Sequence, residues 1–363
     1  MSKFSIKNKI LNDLASGGPL MSDVAELAGV AVSTVSRALA NPDRVNEKTR
    51  AKIAAAAKKL GYTPNAAARN LRVGKSNIIM IVLPGTLKYG ASQIVPRVLE
   101  SINQTLIQNG FNLMIANLDR SDVSEKHVLN LAFDGTVRAA ISLSEKLPVA
   151  NGRSLADTGL PVVSLLVDLS SDGIPSIVTN DREIMREAVA NLIAEGHQQF
   201  LYIGGPSGNY HDLERYQGVV EALRVAGLNE ENIKRCGGTR GYQEGFVIGR
   251  EAVETFLSLK TKPTAVVATG DEMAISFIGE IKRQGWRVPE DVSVCGFDNA
   301  PIGEFLDPPL SSIEQPADEM GSFAAEMLLR HLSDKAWEIP LLSVLPSQHI
   351  PRGSTTATQC IQQ

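Results

Sequence analysis

At 363 residues, 43% hydrophobic and 21% charged, the chain is too long for one core and too apolar for a disordered or fibrous polymer, so a small domain beside a larger, divided body is expected. The net charge of −4 conceals an asymmetry: residues 1–76 hold 13 Lys and Arg against 5 Asp and Glu, a balance of +8 that leaves −12 to the remainder. A basic head on an acidic body suits a nucleic-acid-binding module joined to a sensor or an enzyme, because neutralising phosphates needs localised cations, although many solvated helix faces are basic too.

In chain order, residues 1–19 form an extension carrying Lys3, Lys7 and Lys9, expected to be a disordered tail. No stretch there has a signal-peptide core, and no span reaches membrane-crossing length, so a cytoplasmic location is expected. From Ser22 the run Ser-Asp-Val-Ala-Glu-Leu-Ala predicts a short helix with Val24, Ala25, Leu27 and Ala28 inward, stopped by Gly29. Residues 32–40 predict a second helix with Val35, Ala38 and Leu39 buried and Ser33, Ser36, Arg37 and Ala40 outward. Asn41-Pro42-Asp43 breaks it, and Asn46 is placed to cap a third helix near Thr49 and Arg50 that runs to Leu60 before Gly61. Two short helices joined by a Gly-containing turn, the second presenting small polar residues and an Arg, suit a helix-turn-helix in a major groove; an ordinary helical hairpin is the alternative.

Residues 64–72, Pro-Asn-Ala-Ala-Ala-Arg-Asn-Leu-Arg, contain good helix formers but are too few for a stable isolated helix, since ~12 to 15 residues are needed in water. After Ser76 apolar runs alternate with amphipathic helices: Ile78 to Leu83, Asn112 to Ala116, Ala139 to Leu143 and Val162 to Leu166, then Leu201 to Gly204, Ala265 to Ala268 and Val292 to Gly296. This is an α/β body with parallel sheets, and the two sets of strands imply two lobes. Ligands in such sheets bind beyond the strand C-termini, so the residues that follow each strand are the informative ones. Cys236, Cys295 and Cys360 lack C-x-x-C spacing and suggest neither a zinc site nor a disulfide framework. The five histidines are scattered, and no G-x-S-x-G, H-E-x-x-H or Walker-type loop is present, so no catalytic constellation, metal site or cofactor is expected.

The run from Asp23 to Arg50, D-V-A-E-L-A-G-V-A-V-S-T-V-S-R-A-L-A-N-P-D-R-V-N-E-K-T-R, followed by L-G-Y-T-P-N-A-A-A-R-N-L, resembles the headpiece of the LacI/GalR repressor family. The resemblance extends through G-F-D-N at Gly296–Asn299 to Arg352-Gly353-Ser354-Thr355. It implies a sequence-specific DNA-binding transcription regulator, most simply a repressor and alternatively an effector-activated binder. Such a protein takes a pseudo-palindromic operator as a homodimer and answers to a small molecule in the cleft of a body folded like the periplasmic sugar-binding proteins.

By position the resemblance divides the chain into a helix-turn-helix at 20–63, a hinge at 64–77 and a body at 78–363, with an N-lobe at about 78–180 and 315–346 and a C-lobe at about 181–314 and 347–363. It places Val32, Ser33, Thr34, Ser36, Arg37 and Asn46 at the DNA. Val32 and Ser33 take the base-reading positions, and Arg37 one turn later can fork onto guanine O6 and N7, worth ~1 to 3 kcal/mol of discrimination. Leu20 and Ala31 stand where relatives carry a capping hydroxyl. In the hinge Leu71 takes the place of a leucine wedged between base steps, with Ala68 at the helix contact and Arg69 beside it; a flexible linker is the other reading of these residues.

In the cleft the resemblance assigns Arg215 and Asp298 opposite one another, a fork of donors and a pair of acceptors suited to vicinal hydroxyls or a purine edge. Tyr89, Gln93, Asn180, Asp181, Asn209, Arg240, Gly270 and Asp271 are further lining candidates. The pair of aromatic residues common near 89–91 is here Tyr-Gly-Ala. Arg240 stands where an aromatic platform often stacks on the ligand, which would favour an anionic effector. The helix from Val95 to Ile107, with Val98, Leu99, Ile102 and Leu106, is apolar enough to serve both a sheet and a partner subunit, and the tail after Arg352 has no leucine heptads.

Overall fold

A computed structural model describes residues 18–40, 42–63, 76–85, 94–118, 122–241 and 244–355. The chain divides into two units, residues 1–75 and 76–363.

Among the described residues of the first unit are three helices, α1 (Met21–Ala28), α2 (Val32–Ala40) and α3 (Glu47–Leu60), packed around Val24, Ala25, Val35, Ala38, Ile53 and Ala56. Leu27 and Leu39 were expected in this core but are 41% and 36% exposed. The inward stripe of α1 is Met21, Val24, Ala25 and Ala28, the i, i+3, i+4, i+7 set of a one-sided helix, and Leu27 falls beside it. Leu20 offers no acceptor to α1, yet its own N–H donates to Asp23 Oδ2 at 2.8 Å, half of a capping box. Asn46 caps α3 one residue earlier than its spacing suggested, accepting from the Lys48 amide at 2.9 Å. Gly29 and Gly61 close α1 and α3 at φ of 67° and 64°, the left-handed region that side chains disfavour.

The second unit opens with β1 (Ile78–Pro84), α4 (Ile94–Gln108), β2 (Asn112–Leu118), α5 (Asp122–Phe133), β3 (Ala139–Ser142), a small hairpin of β4 (Val149–Ala150) and β5 (Arg153–Ser154), β6 (Val162–Leu165) and β7 (Ser176–Thr179). It continues with α6 (Asp181–Ala194), β8 (Phe200–Gly204), α7 (Tyr210–Val225), β9 (Ile233–Gly237), α8 (Gly245–Ser258), β10 (Ala265–Ala268), α9 (Asp271–Arg283) and β11 (Ser293–Cys295). The last elements are β12 (Ser312–Glu314), α10 (Ala317–Ser333), β13 (Leu342–Leu345) and β14 (Gln348–Ile350).

Among the described residues ten strands form two parallel sheets, ordered β13-β7-β6-β3-β1-β2 and β11-β10-β8-β9. Alternate residues of β1 enter different cores, Ile79, Ile81 and Leu83 on one face and Met80 and Val82 on the other, as expected of strands covered by helices on both sides. The chain leaves the first sheet after β7, returns to it for β13 and leaves again for β14, which pairs antiparallel with β12. These crossings join an N-lobe, built on the first sheet, to a C-lobe built on the second. Val95, Val98, Ile102 and Leu106 of α4 are all buried in the N-lobe core with Met320, Ala324 and Leu328 of α10.

In the C-lobe α6 and α7 approach closely at Gly218, where a Cβ would lie 2.2 Å from the Arg182 carbonyl oxygen. Gly218→Ala is therefore expected to force the two helices apart and lower urea stability by about 1–3 kcal/mol. Gly279→Ala meets nothing within 4 Å and is expected to be neutral or to stabilise by up to about 1 kcal/mol through helix propensity. Equal unfolding midpoints for the two variants would refute the steric reading of Gly218.

Candidate functional site

Two surfaces hold the candidate residues. On the head, α2 turns Ser33 and Arg37 outward and leaves Val32 47% exposed, while Thr34 and Ser36 are half-buried and Asn46 is exposed at its cap. A short helix with an exposed, cationic, lightly functionalised face fits a groove because its own core residues lie wholly behind it. Ala68, Arg69 and Leu71 lie outside the described residues.

In the body the polar residues gather beyond the C-termini of the second sheet's strands, where the loops after β8, β10 and β11 meet the crossing after β7. Arg215 on α7 is 4% exposed. Its Nε donates to Asp181 Oδ2 at 3.0 Å, its Nη1 donates to the Thr269 carbonyl at 2.8 Å, and its guanidinium carbon lies 3.5 Å from the centre of the Phe297 ring. One side chain thus ties the lobe crossing to the ends of β10 and β11. Asp181 also accepts from His211 Nδ1 at 3.0 Å and from Thr179 Oγ1 at 2.6 Å. Burial pushes the Asp181 carboxyl upward, but the Arg215 charge, His211 and Thr179 outweigh it and hold the group well below the usual carboxylate range.

Asp298 follows β11 with φ of 105°, a left-handed conformation that costs a side-chain-bearing residue ~1–3 kcal/mol and persists only when its surroundings hold it. Its N–H donates to the Ile313 carbonyl at 2.8 Å, and its Oδ1 accepts from Gln315 Nε2 at 2.7 Å. Asp271, beside the cap Gly270 of α9, has both oxygens engaged, Oδ2 by the Ala300 amide at 2.5 Å and Oδ1 by Ser312 Oγ at 2.6 Å. It braces the loop that aims Asp298. The next residue, Glu272, places Oε1 in the interior with no hydrogen-bond partner among the described residues.

Burial first, then the Asp298 charge, pushes the Glu272 carboxyl up to about 7; burial lifts Asp271 to about 7 as well, with Asp298 adding to it. A carboxyl raised in the folded state binds more protons there than in the unfolded chain. Its stability contribution is complete below about 4.5, the ordinary glutamate value, and is lost as pH rises through about 7. The body should therefore lose stability from pH 5 to 8, and Glu272→Gln should flatten that decline. An unchanged slope in urea midpoints across the range would refute the assignment.

The remaining candidates are distributed unevenly. Asn180 precedes α6 with its Oδ1 accepting from the Ser347 amide at 2.8 Å, so it pins the β13–β14 crossing beside the cleft. Asn209 caps α7 through the His211 amide at 3.1 Å, and its Nδ2 donates to Glu145 of the N-lobe. Arg240 donates to Glu244 at 2.7 Å and to Glu251 at 2.9 and 3.2 Å. Its charge is engaged by two carboxylates, all three side chains being partly exposed. Tyr89 and Gln93 lie outside the described residues. Sequence reading overlooked His211, Glu272 and Phe297; only their positions within two residues of named candidates could have drawn attention to them.

Residues 20–65 match the family described as bacterial regulatory proteins, lacI family, and residues 189–355 match the periplasmic binding protein-like domain. The chain is 32% identical over 337 residues to the HTH-type transcriptional repressor CytR of Escherichia coli (strain K12), covering 92% of each chain. It is 30% identical over 317 residues to the probable HTH-type transcriptional repressor ExuR of Bacillus subtilis (strain 168), covering 86% of this chain and 92% of the relative. Among solved structures it is similar to the Lac repressor dimer bound to operator and the anti-inducer ONPF, with a TM-score of 0.79, 26% identity and coverage of 94% of this chain and 100% of the other. It is also similar to the transcriptional regulator CelR in complex with cellobiose, with a TM-score of 0.64, 27% identity and coverage of 93% and 99%.

Proposed function

The chain belongs to the LacI family of bacterial regulatory proteins, and on that premise we propose how its parts divide the work of a ligand-controlled repressor. The protein is a transcription regulator that binds DNA through its helix-turn-helix head and carries a periplasmic-binding-like effector domain, not an enzyme. Among the described residues no helix is long and apolar enough to cross a membrane, and the protein acts in the cytoplasm, where its DNA lies. A homodimer takes a pseudo-palindromic operator, one head per half-site, because a two-fold protein presents the same helix twice.

Arg37 reads guanine through its forked donors, while Ser33, Thr34, Ser36 and Asn46 position the helix against base edges and phosphate and Val32 supplies an apolar contact. Ala68, Arg69 and Leu71 serve as the hinge contact, phosphate contact and minor-groove wedge. In the body, Arg215 and Asp298 hold the effector between the lobes. Tyr89, Gln93, Asn209 and Arg240 line its surroundings, and Asn180, Gly270 and Asp271 fix the loops behind it. The observation that carries this reading is Arg215, buried yet held by an acid, a carbonyl and an aromatic face from three different segments, so that a ligand touching it reports to the lobe crossing directly.

The effector is a sugar, sugar derivative or nucleoside. Because Arg215 and Arg240 are each paired with carboxylates and Asp298 adds another, hydroxyl-rich neutral compounds are favoured over sugar acids and sugar phosphates. Calorimetric titration of the full chain with neutral sugars, nucleosides and their anionic counterparts tests this. Binding confined to anionic compounds would contradict it.

A further inference from the structure

Among the described residues the N-lobe core behind β1 and β3 contains, apart from one residue, only side chains from positions 78 to 174. The exception is Tyr210, the first residue of α7 and hence of the C-lobe, whose half-buried ring packs against this cluster. The same stretch makes two polar contacts across the lobes: Glu145, in the loop after β3, accepts from Asn209 Nδ2 and from the Tyr210 amide, the latter at 3.2 Å. Tyr210 therefore stands at the end of the helix that carries Arg215 and inserts into the opposite lobe, one and a half turns from the arginine.

We propose that Tyr210 and Glu145 form an interlobe clasp, made from the chain's own residues, that sets the balance between arrangements of the two lobes. The ring contributes the larger part, since removing apolar surface from water stabilises in proportion to its area. The Glu145 contact is exposed, and a carboxylate at a helix N-terminus in solvent adds a smaller share. Burial also pushes the Tyr210 phenol above its ordinary value, which fits a ring held inside the interface. The effector meets the clasp at Asn209, which caps α7 and touches Glu145 at once, so ligand and clasp act on one helix terminus. The regulatory role of the clasp rests on the effector-site reading given above; its existence does not.

The test is an intrachain distance measured between spin labels on exposed Lys126 of the N-lobe and exposed Glu254 of the C-lobe. It uses the full chain with Cys236→Ser and Cys360→Ser, diluted with excess unlabelled chain so that each dimer holds one labelled protomer. The parent is expected to show one narrow distance. Tyr210→Ala is expected to shift the population toward a second distance by about tenfold, Tyr210→Phe to keep the parent distribution, and Glu145→Ala to shift it by about two- to fivefold. A folded Tyr210→Ala chain with the parent's distribution overturns the clasp, and if that variant does not fold, an unchanged distribution in Glu145→Ala overturns it. The readout needs neither operator nor effector, so a parent that selects no DNA would defeat the functional reading while leaving the clasp independently tested.

Discussion

Replacing Asp181 by Asn is expected to destabilise the body by about 3–5 kcal/mol, because it leaves the Arg215 guanidinium buried without its carboxylate. The acid is 2% exposed and serves Arg215, His211 and Thr179 together, and no solvent route compensates a lost charge at that depth. Unfolding in urea, followed through Trp286 and Trp337, which both lie in the body, reports the loss. Adding Arg215→Met to Asp181→Asn should recover much of it, since the penalty belongs to the orphaned charge rather than to the missing hydrogen bonds. The acid limb of the stability profile should change as well. The folded-state Asp181 carboxyl is held below its ordinary value of 3.8, so its contribution is present above that pH and is lost as pH falls further. The variant should lack this acid-sensitive component. A cost below 1 kcal/mol, with the acid limb unaltered, would mean that Asp181 does not hold the arginine.

Arg37→Ala is expected to lower affinity for the protein's own operator by about ten- to a hundredfold per half-site, the loss of one bidentate contact worth ~1–3 kcal/mol. Affinity for random DNA at the same salt should fall far less, because non-specific binding counts cations over the whole head and loses only one. Arg37→Lys should not restore discrimination, since an ammonium group cannot fork onto O6 and N7. Anisotropy titrations of operator and scrambled duplex at fixed salt separate the two effects. An equal loss on both sequences would make Arg37 a phosphate contact.

Where the sequence was legible, it was because a single period or a run of apolar residues dominated. The strands at Ile78–Pro84, Ala139–Ser142, Phe200–Gly204 and Ala265–Ala268 read as apolar runs because helices cover both of their faces. Three strands of the sheets did not announce themselves. Ser176–Thr179 is four residues with a hydroxyl at each end, Ile233–Gly237 is a polar edge strand, and Leu342–Leu345 alternates exposed and half-buried side chains at the other sheet's edge. Leu27 shows the limit within a helix, where composition favoured burial and geometry placed it beside the stripe.

The site was legible as positions rather than as contacts. Arg215 and Asp181 stood out singly, but their pairing spans 34 residues, and no local pattern foretells it. Asp271 stood out by its place after a strand, and its two oxygens are held by Ser312 and Ala300. Arg240 stood out as a charge, and its partners are Glu244, just before α8, and Glu251 on it. In each case the residue type was informative, and its partner was set by tertiary packing.

The most direct test of the central claim is selection of genomic fragments by the purified full-length protein, repeated with a panel of sugars and nucleosides. A regulator of this design should enrich a two-fold symmetric sequence with a flexible pyrimidine–purine step at its centre, where a hinge leucine can wedge, and one ligand class should change its occupancy. Recovery of fragments with no common sequence, removed uniformly by salt and indifferent to every ligand, would reduce the head to a non-specific cationic surface and contradict the reading of Arg37 and Arg215 alike.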